Sequence, residues 1–156
     1  MRVKKARRRR TFASFRLTGD DLDPEEWIER TEITPQYAAK DGEILHSRRH
    51  RRPRALQERD GFVWKRPNMW SVSSREIFDT EASDVGDLNQ HLILLLELLE
   101  PHSDMIRERV KHPGIRAEFF CYWSYYSSHG PTIPPSTLVR MGALGAAFSL
   151  DIYSLD

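Results

Sequence analysis

The sequence predicts an α+β fold, a single domain in which an antiparallel or mixed sheet carries its helices mainly on one face. Three observations predict it. Apolar residues alternate at every second position near the start of the chain, over Thr11–Leu17, and again over Ile115–Tyr126, as half-buried strands require. Between them, Leu88, Leu92, Leu95, Leu96 and Leu99 repeat at helical spacing. The whole chain reads β-α-β-β-α-β-α-β, with helices between non-adjacent strands, which is the pattern of a ferredoxin-like β-α-β-β-α-β core with a C-terminal α-β extension. A length of 156 residues fits one domain with a sizeable core, and no internal repeat points to a second. The expected division is a flexible basic arm at residues 1–10 and one α+β domain at residues 11–156.

The elements follow in order. In the first strand Ala13, Phe15 and Leu17 share the inward side. Asp23 then offers an N-cap, Pro24 suits the first helical position, and Glu25 and Glu26 complement the positive end of the helix dipole. That helix is expected over Pro24–Thr31 with Trp27 and Ile28 buried, and Pro35 marks where the chain has left helical geometry. Asp41-Gly42 supplies the positive φ of a tight turn, with a weakly signalled strand after it. Residues 46–60 lack apolar periodicity and read as a long solvated loop. Phe62–Lys65 and Met69–Ser74 are short β-like runs around Arg-Pro-Asn, expected to form a hairpin with Trp64, Trp70 and Val72 inward. The leucine helix stops at Pro101, Ser103 is placed to cap a second helix containing Ile106 and Val110, and Pro113-Gly114 ends it. The strongest strand, Ile115–Tyr126, sets Ile115, Ala117, Phe119, Cys121, Trp123 and Tyr125 on its core face. A last helix from Pro134 is expected to carry Leu138, Met141, Leu144 or Gly145, and Phe148 on one stripe, before a strand at Ser149–Tyr153.

Charge is unevenly placed along the chain. Residues 1–54 hold 15 Lys and Arg against 9 Asp and Glu, although the net charge of the protein is only +1. Two arginine clusters produce the asymmetry, Arg2–Arg10 and Arg48–Arg54, both outside the expected core. Cys121 is the lone cysteine, which excludes an intramolecular disulfide and a multi-cysteine zinc site. No hydrophobic stretch of the kind a signal peptide needs follows the basic arm, and the longest strongly apolar run, Leu92–Leu96, is far short of the roughly 20 residues that span a bilayer. A cytoplasmic protein without membrane contact is expected.

Several local patterns together resemble one family. They are the opening strand followed by Gly19–Pro24, then Ile33–Pro35, Lys40–Glu43, Met69–Ser74, the leucine helix ending at Pro101, and Leu144-Gly145 leading into Leu150–Tyr153. On these the chain is similar to the bacterial family domain of unknown function 4279 over most of its length. The resemblance implies an α+β fold, a bacterial source and, for some relatives, an immunity-type role against toxins. It brings no catalytic residues, and the two arginine clusters depart from the family pattern.

Motifs for chemistry are absent: there is no Gly-x-Ser-x-Gly elbow, His-Glu-x-x-His helix, P-loop or dinucleotide fingerprint. His91, His102 and His129 read as ordinary polar residues, the arginines around His46 and His50 oppose a cation there, and Cys121 reads as a small core residue. No catalytic residue, metal or cofactor is expected. The candidates for macromolecule binding are Arg7, Arg8, Arg9, Arg10, Arg48, Arg49, Arg51, Arg52 and Arg54, whose guanidinium forks suit phosphates and carboxylates. Phe120, Tyr122 and Tyr126 join them as the second face of the strongest strand, either buried under other elements, the favoured state, or displayed on an open sheet face. The function expected is a non-catalytic binding module for another macromolecule, with nucleic-acid binding through the arginines as the alternative and a second copy of the chain as a further partner.

Overall fold

The computed structural model describes residues 11–47, 58–59, 62–63, 66–77, 87–125 and 130–154. In chain order the strands are β1 (Thr11–Thr18), β2 (Tyr37–Lys40), β3 (Glu43–Ser47), β4 (Glu58–Arg59), β5 (Phe62–Val63), β6 (Met69–Ser73), β7 (Arg116–Tyr125) and β8 (Ala147–Ser154). The helices are α1 (Pro24–Thr31), α2 (Ser74–Ile77), α3 (Leu88–Leu99), α4 (Ser103–Val110) and α5 (Pro135–Ala143). Six strands form one mixed sheet in the order β3-β2-β6-β1-β7-β8, and β4 pairs only with β5. Every neighbouring pair is antiparallel except β7 and β8, which run parallel through the α5 crossover.

The register explains the core. Leu17 lies opposite Trp70 on one side and Ala117 on the other, Phe15 opposite Val72 and Phe119, and Ala13 opposite Cys121. All of these are buried, and they meet Trp27 of α1, Leu88, Leu92, Leu95, Leu96 and Leu99 of α3, Ile106 of α4 and Met141 of α5 in one cluster. Burying a side chain of this kind contributes roughly 1.5–3 kcal/mol, so the helices are held to one sheet face by the face that is apolar.

Local chemistry sets the connections. Asp23 Oδ1 accepts from the backbone N–H groups of Glu25 (3.1 Å) and Glu26 (3.5 Å), and its Oδ2 accepts from Lys40 Nζ at 3.0 Å, which ties the start of α1 to the end of β2. Asp41 (φ 53°) and Gly42 (φ 87°) are both left-handed and close the β2–β3 turn. The buried Asn68 fastens three segments: its Oδ1 accepts from Asp41 N (2.8 Å), and its Nδ2 donates to the carbonyls of Asp20 (3.2 Å) and Leu22 (2.9 Å). At Gly19 a Cβ would stand 2.0 Å from the carbonyl oxygen of Gly114, so only glycine lets these two loops touch.

The α+β class, the mixed sheet and the one-sided helices are as the sequence predicts. The core strands run in the order β2-β6-β1-β7, with β3 added at one edge and β8, parallel to β7, at the other as the C-terminal α-β extension. Several details differ from the sequence reading. Met69–Ser73 does not form a hairpin with Phe62–Val63: β6 pairs with β1 and β2, whereas β5 pairs with β4 inside the expected loop. The non-local partners win because they bury Trp70 and Val72, which a two-stranded hairpin cannot do. Ser103 does not cap α4. A 3-10 turn at Glu100–His102 runs straight into that helix, and Ser103 is already inside it. The last helix stops at Ala143, not beyond it. Gly145 adopts φ 69° and donates to the Gly142 carbonyl at 2.9 Å, a glycine stop that transfers Phe148 to β8. Leu138 lies about 100° around the helix from the buried Thr137 and is 47% exposed. Trp64 lies outside the described residues.

Candidate functional site

The sheet has a second face, and no described helix crosses it. Along β1 the residues alternating with the core positions are Phe12, Ser14 and Arg16, and their register partners on β7 are Tyr122, Phe120 and Glu118. On the other side Arg16 lies opposite Ser71 of β6, Ser71 opposite Tyr37 of β2, and Tyr37 opposite Ser47 of β3. One row of side chains therefore crosses the sheet from β7 to β3. Serines form its floor, since Ser14 and Ser71 are small and buried, and long side chains rise around them.

The result is a groove of about 460 Å³, bordered by Phe12, Arg16, Tyr37, Arg66, Arg75 and Phe120 among others. Among the described residues three guanidinium groups border it and no carboxylate does. The Arg16 guanidinium carbon lies over the Phe120 ring, 3.8 Å from its centroid, and that of Arg75 sits 4.9 Å from the centroid of Phe12. Burial lowers the pKa of Arg16, and the neighbouring Glu118 carboxylate pulls it back up. An arginine in such a setting stays charged at neutral pH. Glu118 itself accepts a hydrogen bond from Ser149.

The aromatic residues form a column beside the groove. Phe12 stacks on Tyr122 with centroids 5.2 Å apart and planes within 8°, and Tyr122 stacks on Tyr153 at 5.0 Å. Tyr153 donates its hydroxyl to the Asp151 carboxylate, which raises its pKa. Phe12 thus contacts both the Tyr122 ring and the Arg75 guanidinium, and one face of Phe120 is covered by Arg16.

A family model described as Domain of unknown function (DUF4279) matches residues 9–155. The chain belongs to the DUF4279 family. No match was found among curated proteins or among solved structures.

Phe120 and Tyr122 lie on the second face of this DUF4279 sheet, where they are half-buried and no described helix covers them, which corrects the expected full burial under other elements. Arg7, Arg8, Arg9, Arg10, Arg48, Arg49, Arg51, Arg52, Arg54 and Tyr126 lie outside the described residues. The sequence reading missed Phe12, Arg16, Tyr37, Arg66 and Arg75. The signal for Arg16 was present, since it occupies an outward position between Phe15 and Leu17, but it was a single arginine next to two conspicuous clusters.

One nucleophile does meet a histidine. Ser74 Oγ lies 2.8 Å from His91 Nδ1, and both residues are fully buried. The hydroxyl also accepts from Ala13 N–H (3.0 Å) and faces the Ala13 carbonyl at 3.1 Å. Donating to that carbonyl while accepting from Ala13 N–H and from a His91 Nδ1–H uses the full capacity of a hydroxyl. β6 ends one residue before Ser74, so this side chain supplies Ala13 with the partners a longer strand would have given. It acts as a strand substitute, fully buried at the end of β6. Cys121 is buried as well, and burial first, then Glu118, pushes its thiol up to about 12. Among the described residues no three His, Cys, Asp or Glu side chains gather as metal ligands, and no helix is long and apolar enough to cross a membrane.

Proposed function

We propose that this chain is a non-catalytic binding module that holds an acidic segment of another protein on the open face of its sheet. One observation carries the reading: Arg16, Arg66 and Arg75 border a serine-floored groove with no carboxylate among its described lining residues. Guanidinium forks bind carboxylates in two parallel hydrogen bonds, and Arg16 and Arg75 are already oriented by the rings beneath them. That pre-orientation lowers the side-chain entropy lost on binding.

A nucleic acid fits this face less well. Base recognition on an open sheet needs free ring faces, whereas the rings of Phe12, Phe120 and Tyr122 are each engaged by another ring or by an arginine. An immunity-type role, with a bacterial toxin as the acidic partner and the cytoplasm as the setting, agrees with this proposal. The arginine clusters at residues 2–10 and 48–54 then add long-range attraction.

The test is fluorescence anisotropy with a labelled oligo-glutamate peptide and with labelled mixed-sequence single-stranded RNA and DNA, at low and high salt. The peptide should bind, and the double change Arg16→Gln with Arg75→Gln should weaken it at least about tenfold, because charged hydrogen bonds of this kind contribute roughly 1.5–3 kcal/mol each. Failure of the unaltered protein to bind the peptide refutes the proposal. Tight, salt-sensitive RNA or DNA binding that is lost on deleting residues 1–10, and indifferent to the groove substitutions, replaces it with the nucleic-acid reading.

A further inference from the structure

The two edges of the sheet are built differently. At one edge, β3 is five residues long, begins with Glu43, and pairs to β2 through a register shift between Ala38 and Ala39. Short length, charge and irregularity are the usual protections of an exposed edge. At the other edge, β8 runs eight residues, Ala-Phe-Ser-Leu-Asp-Ile-Tyr-Ser, with no proline, lysine or arginine. Its pairing with β7 is unbroken from Ala147 to Ser154, and no described strand lies beyond it. Phe148, Leu150 and Ile152 share the helix side of the sheet with Phe119, Cys121 and Trp123, yet Phe148 is 41% and Ile152 52% exposed.

α5 continues this apolar margin. Thr137, Met141 and Leu144 point inward, and Arg140 lies on the flank that grips Glu100 at the end of α3, through hydrogen bonds of 2.6 and 2.8 Å. Helical geometry puts Leu138 on the opposite flank, away from the Arg140–Glu100 contact, with Val139 next to it on the outer surface. Both are exposed.

We infer that β8 pairs antiparallel with β8 of a second copy of this chain about a two-fold axis, which joins the two sheets edge to edge. The strand's own sequence selects the occupant and the register. With Leu150 on the axis, Phe148 faces Ile152 of the copy, Leu150 faces Leu150, and Asp151 faces Ser149, so three apolar pairs form on the helix side and no carboxylate meets its equal. Moving the axis to Asp151 places two carboxylates opposite each other and leaves Phe148 against Ser154, an arrangement that like-charge repulsion disfavours. A two-fold axis normal to the sheet also keeps both α5 helices on the same side. This dimer is independent of the arginine groove, which lies across the other strands.

Sedimentation equilibrium of the full chain, over roughly a hundredfold range of concentration, reads the mass directly. The expected result is twice the 18.3 kDa of one chain. Ile152→Lys sets a charge against an apolar partner twice per dimer and should weaken association at least about tenfold, with circular dichroism and thermal melting checking that the chain still folds. Leu150→Cys should form an interchain disulfide under mild oxidation, because directly opposed strand residues have Cα atoms about 4.5–5.5 Å apart, whereas Asp151→Cys should not; Cys121 is buried and does not compete. A monomer at every concentration overturns the inference. So does a dimer that tolerates Ile152→Lys and crosslinks through Asp151→Cys in preference to Leu150→Cys.

Discussion

Replacing Ser74 by alanine tests whether the buried Ser74–His91 contact is a strand substitute. The hydroxyl lies 3.0 Å from Ala13 N, 3.1 Å from Ala13 O and 2.8 Å from His91 Nδ1. Ser74→Ala takes this oxygen away from two buried donors, and each buried donor deprived of its acceptor costs about 1–3 kcal/mol. The Ala13 carbonyl keeps a long contact to Ser73 Oγ at 3.4 Å, so its loss is partial. A total of about 2–5 kcal/mol follows, which for a chain of this size lowers the melting temperature by roughly 5–15 °C. Urea unfolding followed by tryptophan fluorescence measures it, since Trp27, Trp70 and Trp123 are buried and change environment on unfolding. Ser73→Ala is the internal control: it removes only contacts of 3.4 Å and should cost less than about 1 kcal/mol. If Ser74→Ala cost no more than Ser73→Ala, the hydroxyl would not be completing the β1 hydrogen bonds and the reasoning would fail.

Two further predictions concern titration. The Arg140 hydrogen bonds hold the Glu100 carboxyl below its ordinary value of 4.5, so this pair contributes stability above that pH and loses it as pH falls through the lower folded value. Arg140→Ala should therefore destabilise the protein at neutral pH, by about 0.5–1 kcal/mol for a partly exposed pair, and should reduce the loss of stability between pH 4.5 and lower pH in acid titrations of the urea midpoint. Cys121 has the opposite sign. Its thiol is raised from 9.0 to about 12, so it favours the folded state below pH 9 and withdraws that contribution as pH climbs toward 12. At pH 8 the folded protein should be inert to an aromatic disulfide reagent and react only on unfolding, whereas rapid reaction of the native state would place Cys121 outside the core.

Most of the core was legible in the sequence because periodicity reports it directly. Ala13, Phe15 and Leu17 at every second position, and Leu88, Leu92, Leu95, Leu96 and Leu99 at helical spacing, are apolar where an element of that period meets a neighbour, and all of them are buried. The Asp23 cap and the Asp41-Gly42 turn were legible for the same kind of reason, since each satisfies a need within a few residues of itself. Pairing was less legible. Whether Met69–Ser73 joins Phe62–Val63 or β1 and β2 depends on how much each arrangement buries, and no local spacing records that. Leu138 and Phe148 misled a helical reading because the Gly145 stop falls between them, and a stripe drawn across it counted a strand residue as helical.

The outward positions show the division most clearly. By itself the sequence determined that Phe12, Ser14 and Arg16 would face away from the core, because they alternate with residues that must be buried. It could not determine what they would face. Only the tertiary structure brought Arg16 of β1 over Phe120 of β7, added Arg66 and Arg75 to the same groove, and left β8 as a long apolar edge. The physical reason is that side-chain direction follows from backbone period, a local property, whereas neighbours across a sheet follow from strand order, which the burial of the whole chain decides.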